Sequence, residues 1–111
     1  MSQVDVELAI VIATEYHAGQ KDRAGQPYIL HPLRVGAMGL TETTQIVGFL
    51  HDTLEDTDFT ASGIRAHFGP EILEAVLSVT KKKDEPYDEY IRRASLNKIG
   101  HLAWRLLMPR Q

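Results

Sequence analysis

Apolar residues recur along this chain at helical spacing, and no stretch alternates long enough with period two to argue a sheet. From residue 4 to 17, Leu8, Ala9, Ile12, Ala13 and Tyr16 form one helical stripe, with Ser2 and Asp5 as a weak capping signal. "HAGQKDRAGQPY" then interrupts the pattern with two glycines and a proline, which makes it a polar loop. Pro32 suits the first turn of a second helix, where Leu33, Ala37 and Leu40 would share a face. A third begins near "TETTQ", capped by Thr41 or Thr43, and carries Ile46, Val47, Leu50 and Leu54 on its apolar side. Ile64 and Phe68 mark a fourth, Gly69 a stop, and Pro70 the start of a fifth with Ile72, Leu73, Val76 and Val79. After the charged connector "TKKKDEP", Tyr87, Tyr90, Ile91 and Ala94 form a short amphipathic helix. Ile99, Leu102, Ala103, Leu106 and Leu107 form a last one, stopped by Pro109. The expected fold is all-α, a compact bundle of about six or seven helices.

A length of 111 residues fits a single domain with one modest core, so residues 1–111 read as one unit. A net charge of −3 gives no basic face for nucleic acid. "LAIVIA" is too short for a membrane span and lacks the basic flank of a signal peptide, so a cytoplasmic protein is expected. The absence of cysteine excludes disulfides, thiolate metal sites and cysteine nucleophiles. Any metal site must use His, Asp, Glu and water.

That constraint draws attention to "GFLHDTLEDT", residues 48–57. On a continuous helix, His51 and Glu55 are four apart, as are Asp52 and Asp56, so all four share one ridge beside the apolar stripe. Three carboxylates so close call for solvent, shifted pKa values or a cation. An adjacent His–Asp pair offers nitrogen and oxygen to one ion, a donor set that suits manganese, iron or zinc, and Glu55 and Asp56 could then act on a water at that ion. The competing reading is a solvated helix face with salt bridges. Elsewhere, His31 reads as a residue at a helix start, Lys21 and Arg23 as solvated loop cations, and Lys81–Lys83 as a solvated connector. His17 and His67 read as structural helix-end residues.

Taken in order, "HAGQKDRAGQPYILHPLRV", "FLHDTLEDT", "FGPEILEAVLSVTK" and "YDEYIRRASLN" resemble the HD-domain phosphohydrolases, specifically the RelA/SpoT-type alarmone hydrolases and their short stand-alone relatives. The resemblance runs from residue 7 to 99 or so. It implies that His31, His51 and Asp52 bind a divalent metal, most often manganese, and that Glu55 and Asp56 orient or activate the attacking water. It implies that Lys21 and Arg23 face substrate phosphates and that Asn97 lies near the nucleotide. The implied reaction is removal of the 3′-pyrophosphate from guanosine tetra- or pentaphosphate.

The chain departs from that family at its end. The family places a further metal-binding aspartate in a segment like "VKLADLxDN", at about Leu107 here, but this chain reads "KIGHLAWRLLMPRQ" and has no acid after Glu89. The C-terminal end, about residues 98–111, is therefore atypical. His101 points away on the helical wheel and is a poor substitute. Two expectations follow. The first is a phosphohydrolase working with three protein ligands. The second is a catalytically degenerate member that binds a nucleotide or serves as an interaction subunit, with a homo-oligomer through the C-terminal helix and Trp104 as its anchor as one form of it.

Overall fold

A computed structural model describes residues 3–107. Ser2 and Pro109, both read above as helix-end signals, lie outside the described residues. The described chain forms eight helices: α1 (Gln3–Tyr16), α2 (Leu30–Ala37), α3 (Glu42–Leu50), α4 (Thr53–Asp56), α5 (Ala61–Phe68), α6 (Pro70–Ser78), α7 (Tyr87–Leu96) and α8 (Lys98–Leu107). Its only strand-like feature is an isolated bridge between Lys21 and Pro27, which closes the polar loop after α1. The all-α expectation holds. The extra helix arises because the stretch read as one continuous helix through residue 56 breaks at His51–Asp52, leaving α4 as a single turn.

The local signals act much as their chemistry requires. Thr41 Oγ1 accepts the Thr44 N–H at 3.1 Å and starts α3, and Thr60 does the same for Gly63 at α5. Gly69, at φ +92°, takes a left-handed conformation that ends α5, and Pro70 opens α6 directly after it. α3 is the central element, packed by α1, α2, α6 and α8. Its Ile46, Val47 and Leu50 are fully buried. Each such side chain contributes about 1.5–3 kcal/mol of transfer free energy. Ala9 and Ile12 of α1, Ile64 and Phe68 of α5, Ile72 and Val76 of α6 and Ala103 of α8 complete the same core.

The stripe expected on α2 holds in part: Leu33 packs against the core, but Ala37 and Leu40 do not. On α2 the buried residues are Pro32, Val35 and Gly36, while Ala37 is exposed and Leu40, in the following turn, is 98% exposed. The reason is a glycine contact. A Cβ at Gly48 of α3 would come within 2.8 Å of the Gly36 Cα, so α2 and α3 approach backbone to backbone at this point. That approach sets which face of α2 turns inward, and it carries the start of α2 to the end of α3. At the other end of the chain, Ile99, Trp104 and Leu107 pack against the core. No helix of the described residues is long and apolar enough to cross a membrane.

Candidate metal centre and its surroundings

Two side chains mark the break in the α3–α4 segment. His51 Nδ1 lies 2.6 Å from the Gly48 carbonyl, and Thr53 Oγ1 donates to the Leu50 carbonyl at 2.8 Å. Both bond back to carbonyls of the preceding turn and compete with the helical backbone ladder. Asp52 then occupies the N-cap position of α4, yet its carboxylate makes no capping bond. It turns instead toward His51, His31 and Tyr28.

The resulting cluster is tight. His51 Nε2 is 2.9 Å from Asp52 Oδ2, His31 Nε2 is 3.8 Å from the same oxygen, and one potential ligand atom from each residue lies within 4.8 Å of the others. The two imidazoles meet edge to face with centroids 5.2 Å apart. His51 is 5% exposed, Asp52 16% and His31 41%, so the cluster is sunk in the protein and open on the His31 side.

Its proton inventory is informative. The Gly48 carbonyl only accepts, so His51 Nδ1 must carry the hydrogen. His51 Nε2 then has two options: as an imidazolium it donates a second hydrogen to the Asp52 carboxylate, and in the neutral ring it is an acceptor that faces another acceptor. In the neutral ring, a cation between the two atoms would satisfy both acceptors. The separations suit one, since bonds of about 2.0–2.2 Å from a common ion set neighbouring ligands about 3–4 Å apart. Burial works against ionisation of Asp52, but the hydrogen bonds and charge from His51, with Tyr28, outweigh it and hold the carboxyl below its ordinary value. His31 is pushed below its usual imidazole value by burial and by His51, which leaves it neutral at pH 7. Both residues thus stand in the protonation state a metal ligand needs.

The other sequence-derived candidates fall in different places. Glu55 and Asp56 form the last two residues of α4, next to the cluster. Burial, with the charges of Asp52 and Asp56, raises the Glu55 carboxyl above its ordinary value, although Glu55 Oε1 also accepts the Lys81 backbone N–H at 3.0 Å. Lys21 and Arg23 are exposed on the loop after α1. That loop is built: Asp22 Oδ1 accepts the N–H groups of Ala24 and Gln26, both at 2.9 Å. Gln20 Nε2 ties the loop to α4 by donating to the Asp56 carbonyl at 2.8 Å. Asn97 sits at the α7–α8 junction, where its carboxamide oxygen caps α8 through the Gly100 N–H at 2.8 Å. His101 is exposed on α8, and Leu107 is half-buried against the core.

Three residues outside the expected site belong to the same neighbourhood. The Tyr28 hydroxyl donates to Asp52 Oδ2, and burial together with that bond raises its pKa. Tyr28 lies within "GQPYILHP", but nothing in the spacing announces a bond to a residue 24 positions on. His17, read as a helix-end residue, is 1% exposed, lies with its ring tilted against Tyr28 at 5.2 Å between centroids, and donates from Nδ1 to Gln20 Oε1 at 2.9 Å. Gln20 thereby links His17 to α4. Lys81, read as part of a solvated connector, reaches Glu55 through its backbone.

Comparison with known proteins identifies the family and the fold. A family model described as an HD domain matches residues 9–98. The chain is 42% identical over 81 residues to a guanosine-3′,5′-bis(diphosphate) 3′-pyrophosphohydrolase of Aquifex aeolicus, which covers 69% of this chain and 12% of that protein. It is 35% identical over 98 residues to a GTP pyrophosphokinase of Streptomyces coelicolor, covering 85% and 12% respectively. It is 46% identical over 79 residues to the GTP pyrophosphokinase rsh of Brucella ovis, covering 68% and 10%. These relatives are of the RelA/SpoT type, and the chain spans about an eighth of their length or less. Among solved structures, a metazoan ortholog of SpoT that hydrolyzes ppGpp superimposes with a TM-score of 0.78 at 24% identity, over 96% of this chain and 67% of that one. This likeness establishes the fold.

Proposed function

The chain belongs to the HD-domain family, and from that premise we propose that it is a metal-dependent phosphohydrolase removing pyrophosphate from the 3′ position of a guanosine polyphosphate. His31, His51 and Asp52 hold the divalent cation in this reading, with manganese preferred and iron or zinc as the alternatives. The observation that carries it is the convergence of two imidazole nitrogens and a carboxylate oxygen, all within 4.8 Å of one another. A divalent cation bound there supplies a Lewis acid for a phosphate oxygen and lowers the pKa of water.

The side chains divide the remaining work. Glu55 keeps Oε2 free to receive a proton from water while Oε1 is committed to Lys81. Its raised pKa brings it closer to the range useful for a general base. Asp56, one residue on, orients that water. Lys21 and Arg23 bind phosphate from the loop that Gln20 fixes to α4. Asn97 keeps its amide NH₂ for the nucleotide while its oxygen caps α8.

A second reading is favoured by Leu107. It packs against the core near where the family's further aspartate is expected, and a leucine offers no ligand. A nucleotide-binding member without turnover fits that feature. The homo-oligomer form of this reading would use the exposed Leu102 of α8 beside Met38 and Leu40, which line one apolar groove. Sedimentation velocity showing only monomer at micromolar concentration would remove it.

The test of the main reading is a manganese titration by calorimetry on chelator-stripped protein beside Asp52→Ala, followed by an assay of pyrophosphate release from guanosine tetraphosphate. We expect one site per chain, lost in Asp52→Ala, and release that depends on manganese. Absence of manganese binding by the wild-type chain overturns the reading. Nucleotide binding without release favours the second.

A further inference from the structure

A single turn such as α4 closes too few hydrogen bonds to be stable alone, so something outside it must hold it. The carbonyl of Asp56, its last residue, is one of those that a helix end leaves unpaired. Gln20 Nε2 donates to that carbonyl at 2.8 Å. Among the described residues, this is the one hydrogen bond to the α4 backbone from a distant part of the fold; the tie to Lys81 runs through the Glu55 carboxylate instead. Gln20 is itself held at three atoms. Its N–H donates to the His17 carbonyl at 3.1 Å, its carbonyl accepts the Tyr28 N–H at 2.9 Å, and its Oε1 faces His17 Nδ1 at 2.9 Å.

The carbonyl at the end of this chain of bonds fixes the direction of all of them. A carbonyl only accepts, so Gln20 must turn Nε2 toward Asp56 and Oε1 toward His17, and His17 Nδ1 must carry the hydrogen. His17 does this from a place where packing alone does not call for an imidazole. It is 1% exposed, and its Nε2 is shielded from solvent with no hydrogen-bond partner among the described residues. A phenylalanine would fill such a space and leave no buried polar atom unpaired. What only histidine brings is the Nδ1 hydrogen. No hydrogen bond or ion pair among the described residues joins its ring to His31, His51 or Asp52.

We propose that His17 is a positioning residue of this site, acting through Gln20. Its Nδ1–H sets the Gln20 carboxamide, which holds the end of α4 and with it the Glu55 and Asp56 carboxylates beside the metal cluster. The Gln20 backbone also holds Tyr28, the donor to Asp52, so both sides of the site are registered to one residue. The consequence for turnover rests on the phosphohydrolase reading, but the brace on α4 is testable without it.

Long-range nitrogen–proton spectra of the metal-free full chain should show a hydrogen on His17 Nδ1; a bare Nδ1 overturns the proposal. Amide exchange tests the brace in the same sample. In His17→Phe and Gln20→Met, the Asp56 and Thr57 N–H groups that close α4 should exchange roughly tenfold faster or more, while those of Ile46 and Val47 in α3 exchange as in the wild type. Gln20 is partly exposed, so its variant is expected to fold even where a change at buried His17 does not. His17→Asn should restore slow exchange, because its amide nitrogen stands as many bonds from Cα as Nδ1 does. His17→Gln, whose nitrogen stands as far out as Nε2, should not. Unchanged exchange in Gln20→Met, or equal exchange in the asparagine and glutamine variants of His17, overturns the proposal. With manganese and guanosine tetraphosphate, Gln20→Met should lower kcat about tenfold or more at unchanged manganese affinity. No hydrolysis by the wild type, with the exchange pattern intact, removes the hydrolase and keeps the brace. Hydrolysis with an unchanged kcat in Gln20→Met keeps the hydrolase and removes His17 as a positioning residue.

Discussion

Asp52 Oδ2 receives the Tyr28 hydroxyl and faces both His51 and His31. At this scale the metal reading depends on the aim of one carboxylate, and Tyr28 sets that aim from outside the ligand set. Partners of this kind typically matter 10–100-fold for metal affinity. Tyr28→Phe removes only the donor and keeps the ring packed near His17 and His31. We expect its manganese affinity to fall roughly tenfold or more with little change in melting temperature. Equal affinity in the calorimetric titration would mean that Tyr28 merely occupies a gap in the cluster. The residues of the candidate cluster were legible in the sequence because histidine beside aspartate, in a chain without cysteine, offers the nitrogen and oxygen donors a cation would need. Tyr28 was not, because its partner is 24 residues away.

At the scale of elements, the cluster exists because α2 and α3 touch through glycine. His31 is the second residue of α2 and His51 follows the last residue of α3, so the Gly36–Gly48 approach sets the distance between them. Gly48→Ala places a methyl group against the Gly36 backbone, which cannot rotate aside as a side chain can. Overpacking of this kind costs about 1–3 kcal/mol. We expect that loss in urea unfolding, together with weaker manganese binding as His31 is carried off the pair. Full affinity at reduced stability would show that α2 tilts without moving His31. Periodicity and caps located most helices within a residue or two. They missed the break at His51–Asp52, where side-chain bonds to the preceding turn compete with a pattern that otherwise reads as continuous.

For the molecule as a whole, α7 joins the core to the loop that meets Glu55, and the Arg93–Glu85 pair is the clasp. Arg93, through hydrogen bonds and charge, holds the Glu85 carboxyl at about 2 against an ordinary 4.5. A depressed folded-state value means the pair contributes stability that is fully present above pH 4.5 and is lost as pH falls through about 2. Glu85→Gln should therefore melt at a lower temperature than the wild type near neutral pH. The difference should shrink on acidification below 4.5 and vanish near 2. A difference that persists unchanged at the acid end would assign it to packing. The C-terminal helix is organised on the same scale. Trp104 and Leu107 pack on the core while Leu102 is exposed, so the apolar run read as a candidate interface is mostly consumed within the chain.

The sequence by itself determined what can be decided within a few residues. Hydrophobic spacing selected helices, Thr41, Thr60, Gly69 and Pro70 placed their ends, and the order of the "GQPYILHP" and "LHDTLEDT" segments marked the family. Those outcomes follow from hydrogen bonding and sterics inside a single turn. Only the tertiary structure decided that α2 and α3 meet at two glycines, that Asp52 forgoes capping for Tyr28, and that α4 anchors both the Gln20 and Lys81 loops. Each of these contacts joins side chains or backbones that lie 12 to 36 residues apart. A linear pattern carries no distance across such gaps; packing supplies it.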